Sequence, residues 1–236
     1  MGKTSKKSAG KQLIPEWERL LSAQTIFQSN FPESVLVGGT AAALHVGHRT
    51  SLDADYILPD LKKRFAEILK QVETEAGWKT KRIEPPVLIL GNFQGVRTGI
   101  RQLIRAKPLE TTIIKGLRVP TLDEILRIKG ALIVKRNATR DYIDFIALFD
   151  HLGTIKSLQA LSELDQLYPQ EERVSVTQQL TLQLVEPKPY DLSQTNLIHY
   201  KNLKEPYTDW NEVTRRLAVT GQKIMTEFLK RSEPSL

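Results

Sequence analysis

The sequence predicts an α+β protein, with a β-sheet and flanking helices in the first half of the chain and a helical region after it. In the first half, short β-branched and apolar runs bounded by glycine or proline alternate with amphipathic helical patterns. From Lys156 onward the pattern is polar and mostly helical. The 236 residues can form one large domain or two small ones. We divide them into a mobile basic tail (1–12), a sheet-bearing domain (13–118) and a helical C-terminal region (119–236).

The composition predicts the cellular compartment of the protein and the class of its binding partner. The chain has no cysteine, which excludes disulfides and thiolate metal sites and predicts a cytoplasmic protein. No apolar run approaches the ~18 residues of a membrane span, and the N-terminus lacks the apolar core of a signal peptide. The formal net charge of +7 favours a polyanionic partner. Nucleic acid is favoured over a membrane, because no segment combines a basic face with a strongly apolar one.

The first predicted elements are a tail and a helix. Residues 1–12 carry four lysines spaced by small and polar residues, which predicts a solvated arm, with contact to RNA phosphates as the alternative. Residues 14–31 have apolar side chains at helical spacing and predict the first helix.

The stretch from Ser34 to Leu58 organises the rest of the chain. Residues 34–37 predict a buried strand that stops at Gly38-Gly39. Thr40 is the predicted N-cap of a short helix that Gly47 ends. Residues 51–58 then predict a second strand.

Two carboxylates share one side of that second strand. Side chains alternate along a strand, so Asp53 and Asp55 point the same way, with Ala54 behind them. Such neighbours repel each other unless a cation lies between them, and oxygen ligands suit Mg²⁺, which takes further ligands from water and substrate phosphates. The free backbone N–H groups of the preceding glycine turn can hold those phosphates. The pattern predicts a site for phosphoryl or nucleotidyl chemistry.

The later elements follow from the same rules. A helix is predicted over residues 59–76, and a hairpin over residues 87–104 with its turn at Gly91-Asn92. Helices are then predicted over 119–136 with Thr121 as N-cap, through Asp150 with Thr139 as N-cap, and over 158–168, 174–185 and 209–229.

Several polar residues on these elements leave alternatives open. Lys129 either reaches solvent along its helix or points into a site. Asp141 is explained as a helix-dipole partner that Arg140 could pair with, whereas Asp144 is better explained as a functional acid. Arg49 is a candidate phosphate ligand, and Ser51 is predicted to orient a phosphate or an acid by a hydrogen bond.

Two further sets of residues also have two explanations each. His45 and His48 could bind zinc, although a third ligand is not evident. Between Tyr190 and Trp210, tyrosines alternate with lysines and could stack on RNA bases, but tyrosines packed over a helical bundle are at least as well supported.

Two blocks of the chain resemble the nucleotidyltransferase superfamily, with a spacing similar to that of the AbiEii-type toxins of abortive-infection and toxin–antitoxin systems. The resemblance extends from about Val35 to Leu148 and is weaker around residues 200–213. The first block comprises Gly38, Gly39, Thr40, His48, Arg49, Ser51, Asp53 and Asp55. The second comprises Lys129, Arg140, Asp141 and Asp144.

The resemblance implies a nucleotidyltransferase-type mixed sheet and a set of roles. Asp53 and Asp55 would hold Mg²⁺ as cofactor, a nucleoside triphosphate would be the substrate, and Lys129 would contact its triphosphate. The implied catalytic residues are Asp53, Asp55, Lys129 and Asp144. The implied nucleotide-binding residues are Gly38, Gly39, Thr40, Arg49, Ser51, Lys129 and Asp141.

The chain departs from the superfamily at one position. The family usually carries a third carboxylate on a neighbouring strand, but residues 85–109 contain no acid, and Gly99 or Arg101 stands where it is expected. By resemblance, the acceptor is RNA, such as a tRNA end, and the protein is a toxin with an antitoxin partner. The rival is a degenerate module of the same fold that binds nucleotide or RNA without transfer.

Overall fold

The computed structural model describes residues 16–171 and 174–232, and the predicted tail (1–12) lies outside them. The strands are β1 (Val35–Val37), β2 (Asp53–Leu58), β3 (Trp78–Glu84), β4 (Leu88–Phe93), β5 (Val96–Gln102), β6 (Thr111–Ile114) and β7 (Leu117–Pro120). The helices are α1 (Glu16–Asn30), α2 (Gly38–Val46), α3 (Leu61–Thr74), α4 (Leu122–Arg136), α5 (Thr139–Leu152), α6 (Thr154–Leu161), α7 (Leu164–Leu167), α8 (Val176–Val185) and α9 (Trp210–Ser232).

Five strands form one mixed sheet in the order β1-β2-β5-β4-β3. β2 and β5 run parallel, and the other neighbours are antiparallel. β6 and β7 form a separate hairpin. After β7 the described residues form helices, two 3-10 turns (Leu192–Gln194 and Leu197–His199) and loops. The predicted α+β class, a mixed sheet with flanking helices and a helical C-terminal region, is confirmed.

The sheet has a closed face and an open face. On the closed face, alternate strand residues pack against α1 and α3. The Phe27 ring of α1 lies 4.9–5.9 Å from the rings of Phe31, Tyr56, Trp78 and Phe93. Full burial of such side chains contributes about 1.5–3 kcal/mol each, so this cluster fixes which face of β2 turns inward. The other face carries Asp53 and Asp55 of β2 and Arg97 and Arg101 of β5, together with apolar residues such as Leu88.

The C-terminal helices surround α4, which packs against α5, α6 and α8. The predicted cap of α4 is confirmed, since Thr121 Oγ1 accepts a hydrogen bond from the Glu124 N–H at 3.3 Å. Asn137, with φ +47°, ends this helix. The predicted boundary between residues 118 and 119 falls inside β7. No helix in the described ranges is long and apolar enough to cross a membrane.

Two predicted helix starts are wrong. Thr40 is not an N-cap, because α2 already begins at Gly38 and the Thr40 hydroxyl donates to the Asp53 carbonyl oxygen. Thr139 is the first residue of α5, and its N–H and hydroxyl both donate to Asp191 Oδ1. In both cases the hydroxyl bonds a distant backbone or side-chain oxygen, which local sequence does not reveal.

The predicted hairpin turn is also displaced. Gly91 and Asn92 lie inside β4, and the chain reverses at Gln94-Gly95, where both residues have positive φ. Glycine is needed at 91 because a Cβ there would come within 2.3 Å of the Trp78 ring. The sequence also missed β3, whose residues after Trp78 are mostly exposed and charged, and the β6–β7 hairpin. The helix predicted over 158–168 is divided between α6 and α7.

Candidate active site

Asp53 and Asp55 lie side by side on the open face of β2. Their side chains are 45% and 39% exposed, whereas Ala54 between them is buried. The sheet register explains this placement, because the closed face of β2 is taken by Ala54, Tyr56 and Leu58 of the core. The predicted sharing of one face is therefore present.

The glycine turn lies directly beside this pair. Gly38 has φ +72°, and a Cβ at this residue would lie 3.5 Å from Asp55 Oδ2. A Cβ at Gly39 would come within 2.3 Å of Arg49 Nη2. Gly39 thus allows the start of α2 to approach the Arg49 guanidinium, and Gly38 supplies the positive φ of the turn beside Asp55. Within the described chain, no side chain caps the start of α2 at Val37, so its first N–H groups remain available to an anion.

Arg49 is held by a buried carboxylate. Its Nε and Nη2 donate to Asp144 Oδ1 and Oδ2 at 2.7 and 2.9 Å. His48 Nε2 lies 2.7 Å from Oδ1, and Lys129 Nζ lies 2.7 Å from Oδ2. Burial alone would raise the pKa of Asp144, but Arg49 and Lys129 outweigh it and hold the pKa well below its usual range. Asp144 is therefore a fully buried anion surrounded by donors.

Asp141 forms a second buried centre on the same side of α5. Lys129 Nζ lies 3.0 Å from its Oδ1, and Arg136 Nε donates to its Oδ2 at 2.5 Å. Burial would raise the pKa of Asp141, whereas Lys129 and Arg136 lower it. Asp141 does lie in the first turn of α5, as a helix-dipole partner would, but its ion pairs are with Lys129 and Arg136 of α4 and not with Arg140. Arg140 is exposed and lines the cleft instead.

Lys129 points into the site and does not reach out to bulk solvent. Its side chain is 1% exposed and lies between Asp141 and Asp144, so the alternative of a solvent-reaching lysine is wrong. Two carboxylates hold the ammonium group at the wall of the cleft. Burial alone would lower the pKa of the Arg49 guanidinium, but Asp144 raises it, so Arg49 stays charged.

These groups converge on one cleft of about 230 Å³. The segment 187–209 crosses over its rim. The Thr50 N–H donates to the Lys201 carbonyl at 2.7 Å, and the Lys204 N–H donates to the His48 carbonyl at 2.9 Å. The cleft contains the glycine turn, the two exposed acids and a set of cationic and aromatic side chains: Arg49, Lys129, Arg136, Arg140, His199, Tyr200 and Lys201.

The remaining sequence-predicted residues have structural partners. The hydroxyls of Thr40 and Ser51 both bond the Asp53 carbonyl oxygen, so they fix the strand that carries the acids. Ser51 also lines the cleft. His45 bonds the Pro120 carbonyl at 2.8 Å, away from the partner of His48. Among the described residues, no group of three His, Cys, Asp or Glu side chains could hold a metal, so the zinc alternative has no support.

The neighbouring strand carries cations where the third acid is expected. Arg97 pairs in register with Asp53, and Gly99 with Asp55, so they share the open face. A Cβ at Gly99 would come within 2.9 Å of Asp55 Oδ1. Arg97 Nη1 lies 3.9 Å from Asp53 Oδ2, and Arg101 Nε lies 3.5 Å from Asp55 Oδ1. The acids are thus flanked loosely by two exposed guanidinium groups.

Sequence reasoning missed two parts of this cleft. Arg136 lies seven residues after Lys129, which places it two turns further on the same helix face, a signal that was available. Tyr200 was considered for base stacking, but its ring packs on Arg49, whose Cζ lies 5.6 Å from the ring centroid. This contact spans a long sequence separation and has no local signature.

Comparison of the sequence with curated proteins finds similarity over about half of the chain. No family model matches the chain. The chain is 33% identical over 134 residues to the heme uptake protein MmpL11 of Mycobacterium tuberculosis, which covers 52% of this chain. Over 130 residues it is 30% identical to the MmpL11 of Mycolicibacterium smegmatis, named a mycolic acid-containing lipids exporter. The chain spans only 13% of the length of these curated relatives, and their activities are not carried over to it.

Two solved structures are similar over nearly the whole chain. The Helicobacter pylori protein JHP933 matches with a TM-score of 0.52 and 16% identity, covering 91% of this chain and 95% of that one. An H. pylori protein assigned as a nucleotidyltransferase matches with a TM-score of 0.55 and 14% identity, covering 94% and 100%. At such identities the similarity shows the fold alone. The chain therefore has a nucleotidyltransferase-type α+β fold.

Proposed function

We propose that this protein transfers a nucleotide from a nucleoside triphosphate to an acceptor hydroxyl. The observation that carries this proposal is the meeting, in one cleft, of an exposed acid pair, an uncapped helix start and buried cations. The start of α2, Arg49 and Lys129 lie beside Asp53 and Asp55. An exposed acid pair next to cations matches the needs of a triphosphate and its metal ion.

The residues present fit a magnesium ion with two protein carboxylates. Asp53 and Asp55 would hold it, and its other ligands would be water and substrate phosphates, as Mg²⁺ prefers. Once bound, the ion would neutralise charge on the transferring phosphate. Asp53 and Asp55 are not tightly paired by protein cations, since Arg97 and Arg101 stay 3.9 and 3.5 Å away.

The chain's own groups would position the triphosphate. The N–H groups of Gly38 and Gly39 and the guanidinium of Arg49 would bind phosphate oxygens, and Lys129 would add a fixed positive charge. The acceptor oxygen would form a bond to the α-phosphorus, the bond from that phosphorus to the β-phosphate oxygen would break, and pyrophosphate would leave. The hydroxyl proton would pass to water. Asp141 and Asp144 would act by holding Lys129 and Arg49.

The finer assignment is also part of this proposal. The acceptor would be RNA, such as a tRNA end, and the protein would act as an AbiEii-type toxin with an antitoxin partner. The net charge of +7 and the cleft cations Arg140 and Lys201 support a polyanionic acceptor.

A specific observation supports the rival function. Gly99 and Arg101 stand on β5 where a third acid is expected, with Arg97 on the same face, so β5 lacks a carboxylate to activate the acceptor. A module that binds nucleotide without transferring it would tolerate that arrangement. Nucleotide binding with no transfer product would favour this rival.

The test is a transfer assay with Mg²⁺, total RNA and each nucleoside triphosphate labelled at either the α- or the γ-phosphate. We expect α-label, and not γ-label, to appear in RNA with the wild-type protein and to be lost with Asp55→Asn. Asp165→Asn, which lies on α7 outside the cleft, is the matched control and should keep activity. Failure of all four triphosphates across RNA, protein and small-molecule acceptors would contradict the proposal.

A further inference from the structure

The open face of the sheet continues beyond the acid pair toward its edge. Residues in register across a sheet share a face, so the pairing defines rows of side chains. One row runs from Asp53 through Arg97 and Asn92 to Lys79. The next row, given from β2 to β3, contains Asp55, Gly99, Leu90 and Arg82.

These rows place cations on an otherwise uncovered surface. Arg97 and Arg82 have side chains that are 64% and 67% exposed, and Lys79 is exposed as well. Thr80 marks the other face, because its hydroxyl bonds Glu73 of α3. Asn92, half-buried between Arg97 and Lys79, accepts a hydrogen bond from the Gly95 N–H at its Oδ1, which leaves its amide NH2 group as a donor for a phosphate. Beyond the acid pair, the acid on the described open face is Glu84, which pairs with Arg82.

The length of these rows indicates what they could bind. Four strands are separated by three steps of about 4.8 Å, so Lys79 and Arg82 lie roughly 14 Å from the acid pair. A small acceptor seated in the cleft would not reach them. A chain of phosphates leading away from the cleft would pass over Arg97 and then Lys79.

We propose that the open-face rows, namely Arg97, Asn92, Lys79 and Arg82, form a track for the phosphate backbone of a single-stranded polynucleotide whose end lies beside Asp53 and Asp55. This inference rests on the proposed function, since it names the acceptor class for the same site. Spaced cations on a groove that leads into an active site bind a backbone without reading its sequence.

Edge strands offer a competing explanation, because lysines on an edge also prevent pairing between molecules. β3 is the edge strand of this sheet. The two explanations differ in what removal of the charges changes. Loss of edge protection promotes self-association, whereas loss of a track weakens polynucleotide binding and its dependence on salt.

The test compares two double variants of equal charge. Lys79→Gln/Arg82→Gln removes the far end of the track. Lys63→Gln/Lys70→Gln removes two exposed lysines from α3, which packs on the closed face. Binding of a labelled single-stranded RNA of about twelve nucleotides, and of DNA of the same sequence, is measured by fluorescence anisotropy across a salt series.

We expect the track variant to bind on the order of tenfold or more weakly at low salt, and the slope of log K against log salt to fall by about 1.4, from about 0.7 per lost phosphate contact. The α3 variant should match wild type. Equal losses for RNA and DNA would support a backbone track that accepts both, and a larger loss for RNA would support a track specific to it. Equal affinity of the two double variants, or wild type that binds neither polymer, would overturn the track.

Nucleoside triphosphate binding, followed separately by calorimetry, distinguishes the two proposals. The track variant should bind the triphosphate as wild type does, because its substitutions lie outside the cleft. Wild type that binds the polymer through the track but neither binds nor transfers a nucleotide would contradict the proposed function alone. Transfer that persists while the track variant binds polymer normally would contradict the track alone.

Discussion

Two pairs of aspartates lie at or just behind the cleft, and they differ in exposure and in partners. On β2, Asp53 and Asp55 are 45% and 39% exposed, and the nearest guanidinium groups on β5 stay 3.5 Å or more away. On α5, Asp141 and Asp144 are fully buried, and basic groups hold them at 2.5–3.0 Å. The aspartate carboxylates on β2 are therefore available to a ligand, whereas those on α5 are already bound by basic side chains.

The difference assigns separate tasks to the two pairs. A buried carboxylate with three donors cannot easily exchange them for a metal ion, because each donor would be left buried without its partner. It can fix the cations that surround it. Asp144 holds Arg49 and Lys129, and both cations line the same cleft as the exposed acids. The buried pair thus prepares the place where phosphates would bind, and the exposed pair completes it.

The largest expected effect is on stability. Asp144→Ala leaves Arg49, Lys129 and His48 without their shared acceptor, and removal of one partner of a buried ion pair costs about 3–5 kcal/mol. Asp55→Ala removes an exposed carboxylate and should change the free energy of unfolding by less than about 0.5 kcal/mol. Urea denaturation of both variants measures this difference. Similar losses for the two variants would erase the distinction between the pairs.

A smaller effect is expected where the glycine turn meets Arg49. Gly39→Ala adds a methyl carbon only 2.3 Å from Arg49 Nη2. The guanidinium must therefore shift away from Asp144. Such overpacking costs about 1–3 kcal/mol and should weaken triphosphate binding. In an Arg49→Lys background, which lacks Nη2, the added cost should nearly vanish. If the double-mutant cycle shows purely additive effects, the Arg49 contact does not explain the glycine.

The placement of the exposed aspartate pair could be predicted from the sequence. Alternation along a short strand after a glycine turn placed Asp53 and Asp55 on one face, and the structure shows them there. The cap at Thr121 and the end of α2 at Gly47 were predictable because their hydrogen bonds are local. The resemblance also grouped Lys129 with Asp144, and the structure places these two residues in contact, although their burial did not follow from the pattern.

The partners of the buried aspartate pair could not be predicted in the same way. Arg49 and Asp144 are separated by 95 residues, and their pairing depends on how α5 packs against α2. The hydroxyls of Thr40 and Thr139 are taken by distant oxygens, which moved both helix starts. β3 escaped prediction because an edge strand with one exposed polar face has little apolar alternation.

The smallest expected effect is on how the free energy of unfolding depends on pH. The folded pKa of Asp144 lies well below its unfolded value, so the stability that it contributes is fully present above about pH 4–5 and falls as the pH drops toward the folded pKa. Asp144→Asn should therefore narrow the stability gap to wild type as the pH is lowered below about 4. Unfolding free energies at a series of acidic pH values measure this gap. A gap that stays constant down to the lowest pH would mean that Asp144 is not a buried anion.

The most direct test of the different roles is a carboxyl ¹³C spectrum of the aspartates, recorded while Mg²⁺ is added in the presence of a non-hydrolysable nucleoside triphosphate analogue. Asp53→Asn and Asp55→Asn identify the signals of the exposed pair. We predict that these two signals shift with Mg²⁺, while those of Asp141 and Asp144 keep their positions. If the signals of Asp53 and Asp55 stay unchanged throughout the titration, the cleft does not hold the proposed metal and nucleotide site.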